Sequence, residues 1–313
     1  MWDYNILDYD YPPYRPPNEA GSSLIRASRG CPWNRCLFCT MYKTLKFQPK
    51  PVEEVKKDID KAVKIYGRAK TIFIADSDSL VMKNIEEIIK YIKLRFPDAK
   101  RITSYARAKT LMKLGSEKLK KIKKAGLTRV HVGLESGDKK TLEFLKKGST
   151  PEEMIKGGKL AKDAGLDLSF YILIGAGGKM RFKEHAMESA NVCNKVNPDF
   201  IRLRTLVVQH GSLLEEKMKE GKYIPTSPVE KLEEAKIFLE NLDLKKCELA
   251  SDHFTNYIWV DSNIVYRGVY GLLPKDKKLM LDTLNQTLKF LEITDGEILD
   301  ATILYDRGMI NSL

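Results

Sequence analysis

The 313-residue sequence predicts an α/β fold: a partial (β/α)6 barrel of TIM-like type followed by a mainly helical C-terminal extension. Two observations carry that prediction. Six short apolar runs alternate with helical patterns between residues 21 and 210, the order of a parallel sheet with right-handed crossovers. No repeat of fixed period and no low-complexity linker divides that stretch, which reads as one domain. A composition of 43% hydrophobic and 31% charged residues suits such a domain plus an appendage, rather than a disordered or fibrous chain. The expected parts are an arm over 1–20, the barrel over 21–210 and the extension over 211–313.

The elements follow in order. An aromatic and proline-rich arm, Tyr9 to Pro17, includes Tyr11 and Tyr14, which are expected to cover the barrel edge. Ser23 to Ser28 reads as a short strand. Helical periodicity over Val52 to Ile65 precedes the apolar strand Thr71 to Ala75, and Ile85 to Phe96 gives the next helix. Arg101 to Tyr105 reads as a strand, Glu117 to Ala125 as a helix ended by Gly126, and Arg129 to Leu134 as a strand. Lys139 to Leu145 is a helix closed by Gly148, and Pro151 opens another at a suitable first position. Leu168 to Ile174 and Phe200 to Leu206 complete six strands. Beyond residue 210, Gly211 to Leu242 reads as helical with a break at Pro225-Thr226-Ser227-Pro228, and Lys275 to Leu291 as a last helix.

The first strand leads into Arg29-Gly30-Cys31-Pro32-Trp33-Asn34-Arg35-Cys36-Leu37-Phe38-Cys39, three of the chain's five cysteines. Three thiolates on one loop suit a [4Fe-4S] cube with one open iron, because the cube needs four ligands. A plant-type [2Fe-2S] site also begins C-x4-C-x2-C but needs a fourth cysteine soon after, and none follows before Cys193. A structural zinc site needs a second close ligand pair, absent among five cysteines and four histidines. No signal peptide is read ahead of the loop and no apolar run approaches the ~20 residues that span a bilayer, so reduced thiols and a cytoplasmic protein without a membrane partner are expected.

At these residues the chain resembles the radical SAM superfamily. Its cysteine loop follows the first strand of a partial barrel and has an aromatic residue before the last cysteine, a place filled by Phe38. The usual spacing is C-x3-C-x2-C, one residue shorter than here. Val130-His131-Val132-Gly133-Leu134-Glu135-Ser136-Gly137 and Leu145-Lys146-Lys147-Gly148-Ser149-Thr150-Pro151 resemble the mid-barrel of methylthiotransferases and coproporphyrinogen oxidase-like enzymes. The resemblance covers residues 20 to 210. It implies that Cys31, Cys36 and Cys39 ligate a [4Fe-4S] cluster on which S-adenosylmethionine is reductively cleaved. The resulting 5′-deoxyadenosyl radical abstracts hydrogen from a substrate, with electrons from a donor such as flavodoxin or ferredoxin.

In such barrels the catalytic groups lie at the C-terminal strand ends, which selects a short list. Asp76-Ser77-Asp78-Ser79 stands where the superfamily often carries Gly-Gly-Glu for the methionine amino group; Asp76 or Asp78 can accept from an ammonium, and Asp78 or Ser79 can instead cap the next helix. Arg107 is placed to fork onto the methionine carboxylate, or is a surface cation. Glu135 holds the place of a carboxylate for the ribose hydroxyls. Gly175, in Leu173-Ile174-Gly175-Ala176-Gly177-Gly178-Lys179, lets backbone approach an adenine or substrate. Arg202 and Arg204 alternate on one strand, and if inward make an anion site beside the cofactor.

The extension offers Asp252 and His253 for acid/base work or substrate contact, or as a structural pair. Cys193 and Cys247 are too few for an auxiliary all-cysteine cluster and read as small core residues. The net charge of +12 invites polyanions, but its lysines are spread over helices among glutamates, without an arginine-rich tract or zinc knuckle, so only weak, salt-sensitive nucleic-acid binding is expected. Position 41 is Met, where coproporphyrinogen oxidases carry a further cysteine. The expected substrate is a small metabolite or cofactor precursor; the alternatives are RNA modification and a non-catalytic iron-sulfur carrier or regulator.

Overall fold

A computed structural model describes Leu7, Tyr9 and residues 14–310; Tyr11 lies outside the described residues. The chain divides into two compact units, one of residues 1–34, 41–132 and 156–168, the other of 35–40, 133–155 and 169–313. In chain order the elements begin β1 (Ser23–Arg26), β2 (Ser28–Arg29), β3 (Gln48–Pro49), α1 (Val52–Tyr66), β4 (Thr71–Ala75), α2 (Ile85–Arg95), β5 (Arg101–Tyr105), α3 (Ala108–Ala125) and β6 (Arg129–Glu135). They continue with α4 (Lys139–Phe144), α5 (Pro151–Asp163), β7 (Asp167–Ile174), α6 (Gly178–Val196), β8 (Phe200–Thr205), α7 (Leu213–Lys219) and α8 (Pro228–Glu240). The last are β9 (Cys247–Ala250), β10 (Ile258–Val260), β11 (Asn263–Tyr266), β12 (Tyr270–Leu273), α9 (Lys277–Ile293), β13 (Ile298–Asp300) and α10 (Ala301–Asp306). Eight strands form one mostly parallel sheet, β1-β4-β5-β6-β7-β8-β9-β12, so the α/β alternation read from the sequence holds.

In the first unit β1, β4, β5 and β6 pair in parallel, with Leu24 opposite Phe73, Phe73 opposite Thr103 and Thr103 opposite Arg129. Phe73 is fully buried and meets Tyr105 edge-on at 5.1 Å, a geometry aromatic quadrupoles favour. Helix α1 ends at Gly67 and packs on β1 and α2 through Val55, Ile59 and Ala62, an i, i+4, i+7 stripe. The sequence placed the start of α3 at Glu117, but helix begins at Ala108, because Gly115 takes φ 71 and joins two shorter helices across a kink. A buried ionic knot closes the other end of these strands: Glu19 accepts from Ser22 at 2.5 Å, lies 3.2 Å from Arg101, and its Oε1 is 3.2 Å from His131 Nε2. Burial would raise the Glu19 pKa, yet the bonds from His131 and Ser22 outweigh it and hold the carboxyl at about 2.

In the second unit β7 pairs with β8 and β8 with β9 in parallel, while β12 runs antiparallel to β9. A separate antiparallel ladder sets β10 between β11 and β13. The extension, expected mainly helical, thus adds five short strands to four helices among the described residues. The Pro-Thr-Ser-Pro break is explained by capping: Ser227 and Glu230 form a reciprocal capping box and Pro228 takes the first helical position of α8. No helix among the described residues is long and apolar enough to cross a membrane.

Backbone crowds Gly137 closely, where a Cβ would fall inside the Glu188 carbonyl, whereas a Cβ at Gly21 meets nothing within 4 Å. Gly137→Ala should therefore cost about 1–3 kcal/mol of stability, the usual range for overpacking, and Gly21→Ala almost none; equal urea midpoints for the two variants would contradict this packing.

Candidate functional site

The cysteine loop is fixed by its main chain. In the first unit Asn34 adopts φ 47, a left-handed conformation asparagine tolerates. Its backbone N–H points to Cys31 Sγ at 3.4 Å, and its side-chain amide donates to the carbonyls of Tyr42 at 2.5 Å and Leu45 at 3.4 Å. Lys43 donates to the Asn34 carbonyl at 3.1 Å. The Arg107 guanidinium lies 5.0 Å from the Trp33 ring centroid, a cation–π contact that sets this half-buried cation beside the loop.

In the second unit Leu37, between Cys36 and Cys39, is the anchor. Its N–H donates to Leu145 O and its carbonyl accepts from Leu214 N, each at 3.0 Å. Its side chain is buried among Leu145, Ala176, Leu206 and Leu214, with Phe38 packed on the same cluster. Thr40 is hydrogen-bonded to Gln209.

All three loop cysteines are half-buried, and among the described residues no cysteine is in a disulfide. Three thiols in this spacing, one met by a backbone amide, suit an iron-sulfur cluster in donor kind and number. Among the described residues no three His, Cys, Asp or Glu side chains are already gathered into a metal site. Cys193 and Cys247 are fully buried, and the Cys193 thiol is pushed up by burial first and by Cys247 second, as in neutral core thiols.

After β4, Asp76 and Asp78 are both fully buried. Asp76 Oδ2 lies 3.6 Å from Arg26 Nε, and Asp78 accepts from Thr110 at 2.5 Å. Asp78 starts the short 3₁₀ turn that follows but makes no side-chain capping bond. Ser79 donates to the Ala75 carbonyl at 2.8 Å, and Ser77 donates to the Gly30 carbonyl at 2.9 Å, joining this turn to the start of the cysteine loop.

Glu135 ends β6 in a left-handed conformation, φ 60, and pairs with Lys147 at 2.7 Å; its carboxylate folds over Gly133, where a Cβ would collide with it. Next to it, Ser136 takes the His185 Nδ1 at 2.7 Å, and His185 Nε2 lies 3.1 Å from Glu234 Oε1, all three side chains buried. That His185–Glu234 approach is an ion-pair distance without hydrogen-bond alignment. Glu234 also accepts from Gly175 N at 2.9 Å, so one buried network ties the end of β6 to the glycine turn after β7. What crowds that turn is the chain itself: Thr226 Oγ1 lies 3.2 Å from a Cβ built on Gly175, and Tyr223 donates to the Gly175 carbonyl at 2.7 Å.

On β8 burial alternates, with Ile201, Leu203 and Thr205 buried and Arg202 and Arg204 half-exposed on one face, as the period of two predicts. Arg202 pairs with Glu248 of β9 at 2.7 Å. His253 is half-buried and caps a 3₁₀ turn: its Nδ1 lies 2.8 Å from Thr255 Oγ1 and 3.3 Å from Thr255 N. Burial first, and the charge of Arg204 second, lower its pKa to about 4, which makes it a neutral hydrogen-bond donor at pH 7 rather than a strong base. Asp252 is exposed. Sequence reasoning missed Asn34, Lys147, His185, Glu234 and Glu248; only Asn34, inside the cysteine motif, carried a local signal in its tolerance of left-handed backbone.

Residues 25–186, about half the chain, match the Radical SAM superfamily. The chain belongs to that superfamily and is an enzyme of it, whose cofactors are a [4Fe-4S] cluster and S-adenosylmethionine. It is similar to a tRNA uridine(34) acetyltransferase of Methanocaldococcus jannaschii, 31% identical over 120 residues, covering 38% of this chain and 22% of that protein. An uncharacterized methyltransferase of Pyrococcus horikoshii is 28% identical over 222 residues, covering 67% and 46% respectively. The chain thus spans less than half the length of these relatives. Among solved structures, methylornithine synthase shares the fold at TM-score 0.50 and 16% identity, covering 71% of this chain and 63% of that one.

Asp138 caps α4 and is forked by Arg181 at 2.8 and 2.9 Å; burial pushes its pKa up, but Arg181 and Thr141 outweigh that and hold it at about 2, below the usual 3.8. A depressed carboxyl stabilises the fold above pH 4 and loses that contribution as pH falls towards 2. The pair should supply about 2 kcal/mol at neutral pH, from ~1.4 kcal/mol per pKa unit. Urea midpoints from pH 5 to pH 3 should fall less in Arg181→Met than in the parent; parallel declines would contradict the assignment.

Proposed function

We propose that Cys31, Cys36 and Cys39 hold the [4Fe-4S] cluster and that the enzyme uses it to cleave S-adenosylmethionine for hydrogen abstraction from a small metabolite or cofactor precursor in the cytoplasm. Bound there, the cluster supplies one electron through its open iron. The observation that carries this reading is the loop itself: three half-buried thiols held by an amide at Cys31 and by the buried Leu37 anchor between the other two. Phe38 packs beside them.

Around the loop, Arg107 is read as the group for the methionine carboxylate, Asp76 or Asp78 for the ammonium, and Glu135 for the ribose. Charge-assisted bonds of this kind orient the cofactor before reaction. Gly175 and Arg204 complete the cofactor side, and Asp252 and His253 face the substrate. Half-burial and neutrality support hydrogen bonding by His253 better than proton transfer. An acidic donor such as flavodoxin or ferredoxin suits a chain of net charge +12.

RNA modification is the second reading, favoured by the tRNA-acting relative and by the same charge. Weak RNA binding that falls steeply with salt and ignores RNA identity supports the metabolite reading, because counterion release carries no sequence information. Submicromolar, competitor-resistant binding of one RNA at physiological salt reverses the order.

Anaerobic reconstitution should give about four irons per chain and 5′-deoxyadenosine under strong reductant, both lost in a triple Cys→Ala variant. Stoichiometric zinc, or no 5′-deoxyadenosine, would sink the proposal. Glu135→Ala and Arg107→Ala should keep the iron but weaken S-adenosylmethionine binding ten- to a hundredfold, from about 1.5–3 kcal/mol per charged hydrogen bond; unchanged affinity in both would remove them from the site.

A further inference from the structure

His185 of α6 and Glu234 of α8 lie fully buried in the second unit, and each spends a polar atom on a turn at a strand end. The first turn follows β6. Ser136 N donates to the Leu134 carbonyl at 2.8 Å, and Glu135 between them holds φ 60, a left-handed conformation that is strained where a side chain is present. Ser136 Oγ accepts from Asp138 N at 3.0 Å and meets His185 Nδ1 at 2.7 Å, so the residue after Glu135 is held from two sides. The second turn follows β7. Gly175 holds φ 88, and both of its main-chain groups go to side chains: its N–H donates to Glu234 Oε1 at 2.9 Å and its carbonyl accepts from Tyr223 at 2.7 Å.

As a source of stability the His185–Glu234 pair is poor. Its 3.1 Å approach lacks hydrogen-bond alignment, Glu234 Oε2 makes no hydrogen bond among the described residues, and apolar side chains of similar volume commonly do as well as a buried ion pair. What apolar side chains cannot supply is a directed bond to Ser136 or to the Gly175 amide. A strained turn persists only where its surroundings over-determine it. We propose that His185 and Glu234 are positioning residues for the reaction, which fix these two turns so that Glu135 and the Gly175 main chain meet the adenosine part of S-adenosylmethionine in one set geometry. His185 acts on Glu135 through Ser136, Glu234 acts through the Gly175 amide, and their approach links the two turns. Contacts set before binding orient the cofactor without a further ordering cost. The proposal rests on the reading of Glu135 and Gly175 as cofactor contacts.

S-adenosylmethionine binding to the cluster-loaded, oxidised enzyme reads the effect, with iron content and urea midpoints measured alongside. His185→Phe and Glu234→Met should keep the cluster and weaken binding about tenfold each, the worth of one directed bond. His185→Asn, which keeps a polar atom near the Nδ1 position, and Glu234→Gln, which keeps the acceptor, should recover most of the loss. Because His185 acts through Glu135, the double variant His185→Phe/Glu135→Ala should bind no more weakly than Glu135→Ala alone, whereas a general loosening of the fold multiplies the two losses. Ser136→Ala breaks the His185 bond by a smaller change and is carried through the same cycle, which covers a loss of cluster in His185→Phe. Parent-like affinity in either His185→Phe or Glu234→Met, or losses that multiply in the cycle, overturns the proposal. Unchanged affinity in Glu135→Ala overturns the cofactor reading and the proposal with it, so that single variant tells the two failures apart.

Discussion

Carboxylates that leave a buried strand must find a partner, and much of the site follows from that constraint. Asp76 and Asp78 beyond β4 and Asp138 beyond β6 are buried, and Glu135 at the end of β6 is nearly so, where an uncompensated charge costs several kcal/mol. Each is answered within its own unit, by Arg26, Thr110, Arg181 and Lys147 respectively. The answering groups come from far along the chain: Thr110 lies 32 residues beyond Asp78, and Arg181 lies 43 beyond Asp138. The strand ends are therefore polar, ordered surfaces before any ligand arrives, which is what orienting a charged cofactor requires.

The cysteine loop uses a different device. Its thiols must stay available to iron, so the chain fixes the backbone instead. Asn34 spends its side-chain amide on two carbonyls and its N–H on Cys31, and Leu37 places a hydrophobic anchor between the other two cysteines. A buried leucine is worth about 1.5–3 kcal/mol, enough to hold a short segment while its neighbours remain half-buried. The extra residue between Cys31 and Cys36 falls in the stretch that contains Trp33 and Asn34, the two residues that tie the loop to Arg107 and to the Tyr42 turn.

The barrel strands were legible because each is an apolar run bounded by turn residues, and all six fall within two residues of their expected limits. Residues 108–114 were not read as helix, since Gly115 breaks the periodicity that identifies one. The strands of the extension are three or four residues long, too short for alternation to register. The place of Glu135 at a strand end and the shared face of Arg202 and Arg204 were legible from the sequence. Lys147, Glu248 and the His185–Glu234 contact were not, because partners set by tertiary packing leave no mark on local sequence.

Fold and chemistry constrain each other most closely on β8. Shifting this strand by one residue would drive Arg202 and Arg204 into the apolar layer and expose Ile201 and Leu203. Burying two guanidiniums against Leu232 and Ala235 costs more than any gain from the new pairing, so the arginines fix the register as firmly as the leucines do. The consequence for function is that the cationic face is a condition of folding in this register, not an addition to a finished sheet. The strand that carries Arg204 is therefore fixed by the core behind it.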